Sequence, residues 1–372
     1  MRAISSREPW RFAILLRPAA DDRGYKDLVM PRRRKHAFSY HAGVTLDGTP
    51  LTCDAVGFAT DLVFLSHAQA LAPGSSFRLS PRRAGRRQLL ATEGTLVLLG
   101  ATGERLRART LPAGFGRPFN LGDLRLALVP SGYLPGAASL LCEARGRRLL
   151  YAGTICRERA FASLGPAQVR SADAVCLDAT FGDPRFVFPP REEAEAALRR
   201  FVEVALATRR APVLLVSPFG PAPATAEALH AAGIAVRAYG TIVKVLARFR
   251  QAGASLPPLR RFAGKLGPNE VLLWPPEARE APALGALDSP VFAFVSGFSV
   301  ERTAVDCMRA DQGIALSNQA GFADLVAYLE ATGAHEVALH RGFAETFAAI
   351  LRQRGYDAYA IDPPRQMELF RG

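Results

Sequence analysis

Four side chains of this chain could share a metal ion: His67, His340, Asp54 and Asp178. Zinc takes imidazole nitrogens and carboxylate oxygens and, where it hydrolyses, keeps one position open for water. Two imidazoles and two carboxylates scattered over the chain make a weak set for one ion. The surroundings of His67, in Leu65-Ser66-His67-Ala68-Gln69-Ala70-Leu71-Ala72, offer little more, because Gln69 brings only an amide and Leu71 and Ala72 bring nothing. Each residue also has an ordinary structural reading. His67 then ends a strand, and Asp178 is a turn acid that accepts from nearby backbone N–H groups.

The elements that must position these groups are strands. Leu62 to Leu65 reads as a short buried strand leading to Ser66-His67, and Asp47-Gly48 as the turn of a hairpin between Gly43 and Cys53. Thr95–Leu99, Leu124–Val129, Ser139–Glu143, Arg148–Ala152 and Ala174–Leu177 are further strand candidates. The character changes near Pro189-Pro190. Ala194, Leu198, Phe201, Val202 and Ala205 recur at helical spacing, and apolar strands at 213–216, 236–239, 271–274 and 291–295 then alternate with helices at 225–232 and 242–252. That alternation predicts a parallel sheet covered by helices. A last unit follows: helix 322–332, strand 336–339, helix 343–354 and strand 358–361.

Bulk properties narrow the class. Hydrophobic residues make up 49% of the 372 and charged residues 22%, which is a globular balance. No apolar run reaches the length of a membrane helix, and Arg17 with Asp21-Asp22 interrupts the N-terminal one, so neither a membrane span nor a signal peptide is expected. Five scattered cysteines read as reduced thiols in a cytoplasm. The net charge of +13 is carried mostly by arginine and suits a polyanion. Clusters at Arg32–Arg34, Arg82-Arg83, Arg86-Arg87, Arg147-Arg148 and Arg260-Arg261 are candidate phosphate contacts, the last four pairs above all. A GC-rich genome that spells arginine freely would give the same excess.

The order of elements and several turns together resemble the metallo-β-lactamase/β-CASP nucleases, most closely the bacterial DNA exonucleases associated with DNA ligase. The stretches that carry the resemblance include Gly116 to Asp123, Arg147 to Thr154, Leu177 to Pro184, Ser296-Gly297-Phe298 and Leu316 to Phe322, within a span from Tyr40 to Ile361. The resemblance implies an αββα sandwich with an inserted α/β domain. Its parts would be a basic arm at 1–37, the first part of the sandwich at 38–188, the insert at 189–313, the closing part at 314–362 and a tail at 363–372. Such nucleases cut phosphodiesters with two zinc ions.

Most positions that would hold those ions are filled by other residues. Gln69, Leu71 and Ala72 stand for a histidine, an aspartate and a histidine in the first loop, Tyr133 for a histidine, and Thr154 for the bridging aspartate. Asn318 and Gln319 stand for an acid and an imidazole. With the glycines aligned, Arg341 replaces the closing histidine; with the histidines aligned, His340 survives beside an extra arginine. Asp54, His67, Asp178 and His340 are the remnants, so no resident metal is expected.

Gln366-Met367-Glu368-Leu369-Phe370 is similar to the peptide by which bacterial replication proteins dock on the β sliding clamp, with Gln366, Met367, Leu369 and Phe370 as its contacts. Folding back onto the core is the other reading of its apolar residues. The expectation is therefore a DNA-binding or scaffolding pseudonuclease of DNA repair, with DNA, the clamp and an active nuclease, helicase or ligase subunit as partners. The alternative is a divergent metal-dependent DNA exonuclease using zinc or manganese at a reduced site; RNA in place of DNA is a third reading.

Overall fold

In a computed structural model, residues 36–55, 60–71 and 88–361 are described. Ala72, Arg82, Arg83, Arg86, Arg87, the tail residues Gln366, Met367, Leu369 and Phe370, and almost all of the basic arm lie outside them.

Short apolar runs punctuated by turns build the first sheet. β1 (Phe38–Tyr40) pairs antiparallel with β2 (Val44–Leu46), which turns back through Asp47-Gly48 into β3 (Leu51–Cys53). Gly48 supplies the positive φ of 80° that this tight turn needs. β4 (Leu62–Phe64), β5 (Gln88–Ala91) and β6 (Thr110–Pro112) extend the sheet in parallel.

Between β5 and β6 lie two short helices, α1 (Glu93–Leu99) and α2 (Ala101–Arg107). The strand expected at Thr95–Leu99 is thus a helix. Its Leu-Val-Leu-Leu run favours either state, and a local cap decides between them. Thr92 Oγ1 accepts the backbone N–H of Thr95 at 3.1 Å and donates to the Gly136 carbonyl at 2.5 Å. Such an N-cap contributes about 1 kcal/mol.

The second sheet runs β7 (Phe119–Leu121), β8 (Leu124–Pro130), β9 (Ala138–Ala144), β10 (Arg147–Gly153) and β11 (Ala174–Asp178) in spatial order. Period-two patterning makes it two-faced. Ala174 and Cys176 of β11 join the core shared with the first sheet, whereas Val175 and Leu177 join the core under the helices that follow.

The chain then leaves through α3 (Arg191–Ala207) and builds a third sheet. Its elements are β12 (Ala211–Val216), α4 (Ala222–Ala231), β13 (Ala235–Ala238), α5 (Gly240–Gln251), β14 (Arg260–Arg261), β15 (Glu270–Trp274), α6 (Pro282–Gly285), β16 (Pro290–Val295), α7 (Arg302–Cys307) and β17 (Gln312–Ile314). All six strands run parallel, in the order β14-β13-β15-β12-β16-β17. Val213 and Leu215 face one buried cluster, Leu214 and Val216 another, which is why the run is apolar throughout.

The chain returns to the second sheet. α8 (Phe322–Thr332) leads to β18 (Glu336–His340), and α9 (Ala344–Gln353) to β19 (Asp357–Ala360). β18 pairs parallel with β11 in a register that sets Asp178 beside His340. The protein is thus mixed α/β, with helices and several sheets. Among the described residues no helix is long and apolar enough to cross a membrane. Four cysteines are buried, and Cys307 is exposed.

Candidate functional site

The residues singled out in sequence converge at the ends of β3, β4, β10, β11 and β18. Asp54 follows β3 with a positive φ of 49°, a conformation that Asp tolerates better than most residues. Its Oδ1 accepts the backbone N–H of Ser66 at 2.8 Å. Its Oδ2 accepts the Ser66 hydroxyl at 2.5 Å and the Tyr151 hydroxyl at 2.8 Å. The carboxylate therefore ties β3 to the loop after β4 and to β10.

Asp178, at the end of β11, is held as tightly. Its Oδ1 accepts the Thr180 N–H at 2.9 Å and the Thr180 hydroxyl at 2.6 Å, as a turn acid does. Its Oδ2 accepts Thr154 Oγ1 at 2.7 Å and Arg341 Nη1 at 3.3 Å. Burial by itself would raise this carboxyl. The Arg341 guanidinium, His340 and the two threonine hydroxyls outweigh burial and hold it down at about 2.

The two imidazoles are buried, with 3% exposure for His67 and 4% for His340. Both nitrogens of His67 and Nε2 of His340 lack a hydrogen-bond partner among the described residues. Burial, reinforced by Arg341, lowers each ring to about 4, against the opposing pull of Asp54 and Asp178. Both are neutral at physiological pH. The His67 ring meets Tyr133 edge-on at 5.0 Å, and the His340 ring lies 5.8 Å from Tyr151.

Tyr133 plugs the remaining side. Its buried hydroxyl donates to Gln69 Oε1, and burial pushes the phenol up. Asn318 arrives from beyond the third sheet, and its Nδ2 donates to the Phe219 carbonyl at 3.0 Å. Gln319 bonds through its backbone N–H to Ser317 Oγ at 3.0 Å. Leu71 packs at the margin of the small cluster under α1. Arg341 and Gly342 both have positive φ, 65° and 49°. A Cβ on Gly342 would lie 2.3 Å from Thr180 Cα, so this turn fits against the Asp178 loop only with glycine.

The donor set does not fit the two zinc ions that the family resemblance implies. Among the described residues, no three His, Cys, Asp or Glu side chains come together as a metal set. The oxygens of both carboxylates are engaged by protein donors, and the cation beside Asp178 is Arg341. The sequence alone does not single out Ser66 and Tyr151, which hold Asp54. Both lie in the quoted stretches, but their role depends on a meeting of three strands.

Among the described residues, the arginine candidates lie on two different sheets. Arg147 pairs with Glu336 at 2.8 Å, and Arg148 lies 3.9 Å from Glu143, both on the second sheet. Arg260 and Arg261 are exposed on β14, in the third.

No family model matches the chain. It is 29% identical over 309 residues to a protein of Opitutus terrae named a probable DNA ligase, a match that takes in 82% of this chain and 29% of that one. It is 30% identical over 93 residues to a ribonuclease of Thermus thermophilus, covering 25% of this chain and 20% of that one. The chain therefore spans less than a third of the length of these curated relatives. A crystal structure of a protein of unknown function from Enterococcus faecalis aligns with a TM-score of 0.46 at 13% identity, over 75% of this chain and 74% of that one.

Proposed function

We propose that this chain is a catalytically degenerate nuclease of the metallo-β-lactamase/β-CASP type, which binds DNA without cutting it and serves as a scaffolding subunit in DNA repair. The observation that carries this reading is the Arg341–Asp178 pair. A guanidinium fixed to the protein neutralises the carboxylate that a hydrolytic metal would use, while Thr154 and Tyr133 close the same space. The relatives named as a probable DNA ligase and a ribonuclease support nucleic acid as the substrate class. A ligase is a candidate partner, in a cytoplasmic setting.

In this reading 38–188 and 314–362 form one domain and 189–313 an insert. The tail from Gln366 to Phe370 docks on the β sliding clamp. The second reading, a divergent exonuclease with one ion, draws on the unpartnered nitrogens of His67 and His340.

Elemental analysis of the untagged protein, paired with a DNA degradation assay in added zinc or manganese, separates the two. Less than about a tenth of an ion per chain and intact DNA are expected. A stoichiometric ion, with degradation lost in Asp178→Ala, would overturn the pseudonuclease.

A further inference from the structure

The second sheet carries a row of charges away from the centre. Arg125 of β8, Glu143 of β9 and Arg148 of β10 sit side by side, since Arg125 pairs in register with Glu143 and Glu143 with Arg148. One carboxylate is thus shared between two guanidiniums, at 3.9 Å from each. Directly opposed residues on one face of a sheet interact, so the row is a built feature of the register. The next row on the same face is apolar, with Ala127 beside Leu141 and Leu141 beside Leu150.

Arg125, Glu143, Arg148, Ala127 and Leu141 line a groove of about 190 Å³, to which Arg170, Gly116 and Pro118 also contribute. A second, wider concavity shares Arg125, Glu143 and Arg148 and adds Arg145 and Arg147 at the β9–β10 turn. Arg125 is 60% exposed and Arg148 42%, so both can reach a ligand. The Nε of Arg148 is buried with no hydrogen-bond partner among the described residues. Across the two concavities, Arg125, Arg145, Arg147, Arg148 and Arg170 outnumber Glu143 and Asp123.

We infer that this groove is a binding track for a nucleic-acid backbone, with phosphates on Arg125, Arg148 and Arg170. The inference rests on the nucleic-acid part of the proposed function and locates its contacts away from the degenerate centre. A polyanion complements the rim, and planar guanidiniums match phosphate oxygens. Glu143 limits affinity, because it competes for both neighbouring arginines.

The test is the salt dependence of binding to a fluorescein-labelled DNA duplex, measured by anisotropy with the full chain. Arg125→Gln with Arg170→Gln should weaken binding about tenfold near 0.1 M salt and flatten the slope of log K on log salt by about two. Arg105→Gln with Arg200→Gln, which removes the same charge elsewhere, should change the slope little. Glu143→Gln should tighten binding, a gain that general damage to the fold cannot produce. An unchanged slope in the groove variant, or an equal loss in the control pair, overturns the groove while DNA binding itself stands. Wild-type protein that shows no salt-dependent binding overturns both the groove and the DNA part of the proposed function.

Discussion

The centre around Asp178 and the row around Glu143 use the same side-chain types to opposite ends. In the centre, two carboxylates face one guanidinium, and hydroxyls and backbone N–H groups satisfy the rest internally. In the row, two guanidiniums share one carboxylate at the surface. A charge removed from water must be paired or hydrogen-bonded within the protein, at a cost of several kcal/mol otherwise. A surface charge has no such demand and gains under about 1 kcal/mol from its neighbours. The difference separates a site spent on holding the fold from one that keeps its charge for a ligand.

The largest effect should come from the turn that seats Arg341. Gly342→Val places a branched side chain where a Cβ already meets Thr180 Cα at 2.3 Å, at a φ of 49°. A loss of about 4 kcal/mol in chemical denaturation is expected. A loss under about 1 kcal/mol would show that the centre is loose, and would remove the contrast with the row.

The pH dependence comes next. His67 and His340 fall from 6.5 to about 4 on folding, chiefly through burial. The unfolded chain therefore binds their protons first. Their contribution is full above pH 6.5 and is lost as pH falls toward 4, at about 1.4 kcal/mol per pH unit for each ring. Asp178, held at about 2, adds a loss below the ordinary carboxylate range of about 4. His67→Phe should remove about half of the slope between pH 6.5 and 4 in urea titrations. An unaltered slope would mean that His67 is solvated rather than sealed in.

The smallest effect belongs to the row. Arg125→Gln should leave stability within about 0.5 kcal/mol of wild type, as exposed substitutions usually do. A larger loss would make the row structural and weaken its claim to a ligand.

Much of the fold was legible because its strands carry period-two or fully apolar patterns. The helix Phe322–Thr332 has the expected bounds, and β8 to β12 lie within a few residues of theirs. Thr95–Leu99 misled because its outcome rests on one hydroxyl of Thr92 and a carbonyl 44 residues away at Gly136. Single positions of the centre could be named from motif spacing. Their partners could not, since Tyr151 reaches Asp54 across 97 residues and Arg341 reaches Asp178 across 163. Arg125 escaped notice for the same reason. Nothing near it in sequence marks it, and only strand register puts it beside Glu143.

The parallel pairing of β11 with β18 sets Asp178 next to His340 only after the whole third sheet has been traversed. Closing so long a loop carries an entropic cost before any contact rewards it, which makes such pairings slow. During synthesis, a chain that has not yet emerged past Arg341 holds Asp178 without the guanidinium that neutralises it.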